Sequence, residues 1–464
     1  MQLTLRQGLR RHTATVMLWC LAAPIFSAGL PAALHGQNAD RQVPVDSLIF
    51  DLKNPDPVRR KQAAVSLGNN KVQRAVPDLV AAAGDKDAAV RREIVIALEK
   101  MADIRALPAF VELSGDSEKE IRDRCIQALV GLYLPRESGI TVTMNKVANF
   151  FNPWSDEYAD AVVEPGIEVD PRAATALRDR LQDANEGIRT KAARGLGILK
   201  PNSAAAALVD TVRQDSSVAV RFEAIRSLRK IADASVGKEL ITLIASDDPK
   251  LRNEAVFTLG RLHCREAVAD LTTAYESQNA LPAKKADRIY QQMLLDALAF
   301  IGDPGSSVLF VKETKSTDPV LRLHAYEGIA RVADSAQTTE VSRAHVVEKD
   351  PKIRVAQAYA LFRMGRREFL DEIVKALDSK KSSAEARQYL VELKPGDLAD
   401  LYAETKFQEQ GVREGLADVI GVVGDSRAIP VLQELGTDRR GQISALCNQS
   451  IRRINARTGS EAGR

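Results

Sequence analysis

Few residues in this 464-residue chain are equipped for chemistry, and their spacing narrows the choices at once. The five histidines, His12, His35, His263, His324 and His345, are followed by Thr, Gly, Cys, Ala and Val, so no His-Glu dipeptide is present. Of the four cysteines, Cys20 lies in an apolar N-terminal run, which leaves Cys125, Cys264 and Cys447. An odd number so widely spaced is no disulfide framework, and no pair approaches the CxxC spacing of a zinc site. His263 beside Cys264 is the one nucleophile-like neighbourhood. Adjacent residues on a helix point about 100° apart, so adjacency makes no dyad, and the pair reads as the lining of a turn. GxxxxGK[ST], HExxH and GxSxG are all absent, so no catalytic residue, metal ligand or cofactor is assigned.

Arginine is the residue with a pattern. DPVRRKQAAVSLG from Asp56, EGIRTKAARGLG from Glu186 and DDPKLRNEAVFTLG from Asp247 share a frame: arginine, a small residue three later, Leu or Ile seven later, often Gly eight later. The arginine slot falls at Arg60, Arg91, Arg122, Arg189, Arg221, Arg252, Leu294, Arg322, Arg354, Ser383, Arg413 and Ser444. The position seven later is Leu or Ile in every copy, from Leu67 to Ile451. Cys125 and Cys447 stand where other copies have alanine, which makes them core fillers. A row of arginines either binds phosphates or pairs internally. Three of the 65 basic residues lie in residues 1–36, leaving 62 against 62 acids, so the rest of the chain has no basic excess to hold nucleic acid. An internal ladder is the expectation, with Asp103, Asp233, Asp334 and Asp425, twelve residues after a slot, as its acids.

The elements that carry this frame are helices. Asp56, Asp87, Asp248, Asp318 and Asp350 stand four residues before a slot, usually followed by Pro, as an N-cap and first helical residue do. Val90, Ile94, Leu98 and Met101 mark one apolar face, and the aspartate twelve residues after a slot opens a second amphipathic run. The glycines of the frame, such as Gly68, Gly197 and Gly260, read as helix stops. Neither helix of a pair can bury its stripe alone, so pairs must stack. The expected fold is an all-α solenoid of about twelve two-helix repeats over residues 46–456, with 457–464 as a short tail.

The DPxxR opening, as in DDPKLR at Asp247 and TDPVLR at Thr317, and the alanine-then-leucine spacing behind it resemble HEAT-like repeats of the short, roughly 31-residue class known from phycobilisome lyases. The resemblance implies an α-solenoid in which slot arginines pair with aspartates of stacked repeats. Among relatives of that fold, deoxyhypusine hydroxylase binds iron through His-Glu pairs, which are missing here. Chromophore lyases form a second enzymatic branch, and nothing in this chain singles out a chromophore pocket.

Two segments stand outside the frame. Residues 1–36 hold Arg6, Arg10 and Arg11, no acid, and the run Ala14 to Leu34, the layout of a cleaved secretory signal. The alternative is an uncleaved anchor through residues 13–34, the one route to a membrane. The other segment is an insertion, 135–170, between the two helices of the third unit. GITVTMNKV alternates in a strand-like period, AVVEPGIEV offers a hairpin mate, and between them FFNPWSDEY packs four aromatics into a chain that is 5% aromatic. Phe150, Phe151, Trp154 and Tyr158 are the candidate binding residues. They either fold down as a satellite core or stand exposed as an anchor for a protein partner. SQNALPAKKADR from Ser277 is expected to be a solvated loop. The functional expectation is a secreted or periplasmic protein-binding scaffold. The alternatives are an enzyme of chromophore-lyase or oxidoreductase type, or a membrane-tethered assembly factor.

Overall fold

In the computed structural model, residues 44–134, 161–164, 166–282, 284–438 and 441–461 are described. Every regular element among them is helical. Twelve first helices carry the arginine frame and define units 1 to 12: Pro57–Asn69, Ala88–Met101, Lys119–Gly131, Glu186–Leu199, Val218–Ile231, Pro249–Arg261, Arg288–Ile301, Pro319–Val332, Pro351–Arg363, Ser383–Val391, Gln410–Val423 and Gly441–Glu461. Each of the first eleven is followed by a second, usually shorter helix, mostly entered through a single 3-10 turn. Among the described residues no second helix follows the last, and Val45–Asp51 stands ahead of the first, so the described array is eleven full pairs with a helix at either end.

The starts are set by capping. Asp56 accepts the N–H of Val58, Asp87 those of Ala89 and Val90, and Asp318 that of Val320, satisfying donors that a helix leaves open. Asp103, Asp233 and Asp334 cap the second helices in the same way, through Arg105, Ser235 and Ala336. Several first helices end on a left-handed residue eleven after the slot: Ala102, Lys200, Ala232, Gly302 and Ala333. First helices pack side by side along the array, and second helices cover one side of that layer. Leu67, Leu98, Leu129, Leu196, Leu228 and Leu259 form the fully buried seam between the layers.

The structure corrects the sequence reading at several points. In unit 7 the N-cap is Asp287, whose side chain accepts from Tyr290, so the slot is Gln291 and the seam residue Leu298, three positions earlier than expected. The helix of Val268–Ala280 runs through the first part of the expected loop at Ser277. The frame glycines do not stop helices. Gly68 and Gly197 lie inside theirs, where an added Cβ would come 2.6 Å from Ala97 Cα and 2.5 Å from Ser227 Oγ, so they let the next first helix approach. The strand GITVTMNKV lies outside the described residues. Its expected mate is not a strand where it is described, over 161–164 and 166–169, because the Val163 N–H donates to Ile198 O at a helix end, 2.8 Å, instead of to a neighbouring strand.

Candidate functional site

Phe150, Phe151, Trp154 and Tyr158 lie outside the described residues. What is described is the root of their insertion. The Asp170 N–H donates to Tyr133 Oη, 3.1 Å, and the Asp170 side chain caps the helix Pro171–Asp179. A cleft of about 310 Å³, lined by Val111, Glu112 and Ser114 of unit 2 and Pro171, Arg172 and Thr175 of unit 3, opens beside that root.

The arginine slots form a ladder, with other acids than expected. Arg60 pairs with Asp85 at 2.5 Å, Arg91 with Asp116 at 2.6 Å, Arg122 with Asp183 at 2.7 Å and Arg189 with Asp215 at 2.7 Å. Each acid lies six residues before the next slot, and its carboxylate also accepts the N–H two residues on. The arginine's Nη1 meanwhile donates to carbonyls of its own entry loop, as Arg91 does to Asp85 O. Every rung thus fastens two loops, and the compensation a cation needs at a helix N-terminus comes from the neighbouring unit. Burial alone would raise these aspartates, but the bonds from arginine and backbone N–H hold all four below the usual carboxylate range. Asp103 and Asp425 pair with Arg105 and Arg427 two residues away. Where Ser246 stands six before the next slot, the ladder lapses and Arg221 donates to Val212 O.

A denser assembly lies on the stripe of the first helices two, five or six, and nine residues after the slot, turned away from the second helices by the 100° step. Units 6 to 10 contribute to a closed circuit. Arg261 Nη1 lies 3.4 Å from Asp296 Oδ2, Asp296 Oδ1 is 3.5 Å from His324 Nδ1, and His324 Nδ1 is 2.9 Å from Glu327 Oε2. Tyr389 Oη donates to Glu327 Oε1 at 2.7 Å and its ring stacks on Tyr359, centroids 4.5 Å apart. Tyr359 Oη donates to Glu392 Oε2, which Arg331 grips with two bonds of 2.7 and 2.8 Å. Arg331 and Arg261 both stack on Phe300, at 4.0 and 3.3 Å from its centroid. Cation–π and charge-assisted bonds therefore join five units where the regular ladder fails.

The electrostatics follow from this geometry. Burial would raise the Glu327 carboxyl, but His324, Arg331 and Tyr389 outweigh it and bring it down to about 2. Burial works against charge on His324, yet Glu327 and Asp296 raise its pKa. Tyr389 is pushed up by burial and by the Glu327 carboxylate. The expected reading of His263 and Cys264 as a turn pair agrees with the geometry, since His263 is exposed at positive φ and Cys264 is buried. Cys125 and Cys447 are buried too, their thiols pushed up by burial. The circuit escaped the sequence reading because its residues are scattered over 132 positions. Its available signal was His324, Glu327 and Arg331, three and four apart on one helix face.

Residues 45–130 and 168–229 match the family model for HEAT repeats, and the unmatched stretch between them coincides with the insertion. No curated protein matches the chain. Among solved structures, an engineered protein aligns over 89% of this chain and 98% of its own, with 20% identity and a TM-score of 0.38. The complex of CpcE and CpcF of phycocyanin lyase from Nostoc sp. PCC7120 aligns over 63% of this chain and 97% of its own, with 19% identity and a TM-score of 0.28. Residues 45–130 and 168–229 are thus HEAT repeats, and the capped, stacked helix pairs continue in the same frame through the rest of the described array.

Proposed function

We propose that this chain is a protein-binding scaffold of the secreted or periplasmic space, holding its partner on the extended surface of the array. The observation that carries this reading is the uninterrupted layer of first helices, one side of which faces away from all second helices and carries arginine and aromatic side chains such as Phe257 and Arg261. Those residue types are enriched at the energetic centres of protein interfaces. The insertion is the second contact, with Phe150, Phe151, Trp154 and Tyr158 as its anchors. Export rests on residues 1–36, and their retention in the mature chain would make it a tethered factor instead.

The test is a comparative pull-down from the native envelope fraction with the full chain, a chain lacking residues 136–160, and a Phe257→Ala chain. Equal capture by all three overturns the assignment of both surfaces. Selective loss with the shortened chain identifies the insertion as a contact, and N-terminal sequencing of the mature protein checks export.

A further inference from the structure

The circuit of units 6 to 10 brings three potential ligand groups together: Asp296, His324 and Glu327 each offer one ligand atom, and these atoms all lie within 4.8 Å of one another. We propose that Asp296, His324 and Glu327 bind a divalent first-row transition-metal ion on the open face of the first helices.

An unprotonated imidazole nitrogen 2.9 Å from one carboxylate oxygen and 3.5 Å from another repels both unless something positive stands between them. A proton on Nδ1 serves one carboxylate well and leaves the other at long range. A metal ion serves all three. First-row ions hold nitrogen and oxygen ligands at about 2.0–2.2 Å, which sets ligand atoms of one shell about 3–3.5 Å apart, close to the two separations here.

The second oxygen of each carboxylate is engaged from outside the triad. Arg261 approaches Asp296 Oδ2, and Tyr389 donates to Glu327 Oε1, which turns the free oxygens towards His324 as outer-shell partners do in metal centres. Tyr389 is itself fixed by its stack on Tyr359. Access also fits, since Glu327 is 4% exposed at the base while Asp296 and His324 are 15% and 18% exposed above it. Arg331 does not compete for this volume, because Glu392 holds it with two bonds. Charge is compatible as well, since Asp296, Glu327 and Glu392 outnumber Arg261 and Arg331 around a neutral imidazole. One imidazole with two carboxylates suits Zn²⁺, Mn²⁺ or Fe²⁺ better than Mg²⁺ or Ca²⁺, which prefer all-oxygen shells. The inference does not depend on the scaffold reading.

The test uses the full chain, stripped with a chelator and titrated with Zn²⁺ by calorimetry, with Co²⁺ absorption as an independent report of the ligand field. One site is expected, weakened at least about tenfold in Asp296→Asn and in His324→Ala and unchanged in His263→Ala, which alters an exposed imidazole elsewhere. Asp296 is partly open, so Asp296→Asn keeps its fold, verified by circular dichroism. Zn²⁺ should also raise the melting temperature of the parent and not of Asp296→Asn. Equal Zn²⁺ affinity in the parent and Asp296→Asn, or no binding by the parent, overturns the proposal and leaves a proton as the sole bridge.

Discussion

At the scale of single residues, the rungs of the ladder carry a pH dependence whose sign is fixed. Asp85, Asp116, Asp183 and Asp215 titrate lower in the folded protein than the ordinary value near 4. Their contribution to stability is therefore complete above about pH 4 and disappears as the pH falls through that value towards the depressed one. Melting temperature should be flat from pH 7 to 5 and fall steeply below pH 4. Asp183→Asn should cost about 2 kcal/mol at pH 7, because it removes a charge-assisted pair from a carboxylate that is 3% exposed. The same variant should flatten the acid limb, and an unchanged limb would show that Asp183 is not a rung in solution. The left-handed helix ends offer the opposite change. Ala333 holds φ 57°, a region costly for a residue with a Cβ, so Ala333→Gly should gain about 0.5 kcal/mol after its entropic cost, read as a shifted urea midpoint.

At the scale of elements, the frame made the helices legible and concealed how they touch. Caps and seam leucines are local signals, four residues before the slot and seven after it, so the helices could be placed from the chain alone. In unit 7 the slot holds Gln291 instead of arginine, and matching an apolar residue to the frame shifted the register by three. The cap at Asp287 would have corrected it. Glycine eight after the slot has the same letter whether it ends a helix or admits a neighbour, and only the packing separates the two. The ladder acids were misassigned although Asp85, Asp116, Asp183 and Asp215 all stand six before the following slot, because a rung joins two units and the frame describes one. The candidate metal residues were hidden for the same reason, lying on two units. Close approach at glycine can be measured. Gly197→Val should destabilise by about 1–3 kcal/mol, since its Cβ would lie 2.5 Å from Ser227 Oγ. Gly131→Ala, with nothing within 4 Å of the added carbon, should be neutral or slightly stabilising, and equal effects of the two would refute the packing role.

At the scale of the whole array, the insertion is an addition that the repeat tolerates. Arg122 reaches Asp183 across 61 positions of sequence with the geometry that Arg91 and Asp116 achieve across 25, so the third rung forms as if the insertion were absent. The returning strand of chain meets the far end of the sequence as well. Gly166 takes φ 88°, and a Cβ there would lie 2.8 Å from that of Ala456 in the last helix. Arg457 holds that helix back onto Gly421 O and Gly424 O of unit 11. The Gly166 contact is thus a second hold on a helix that Arg457 ties to unit 11. Gly166→Val combines a strained φ with a steric clash, so it should release the contact without touching the core. Amide exchange should then accelerate over the last turns of Gly441–Glu461 while the first helices of units 1 to 6 keep their protection. If exchange over that helix is unchanged, Gly166 does not cover it, and the end of the array is held by unit 11 and Arg457 without help from the insertion.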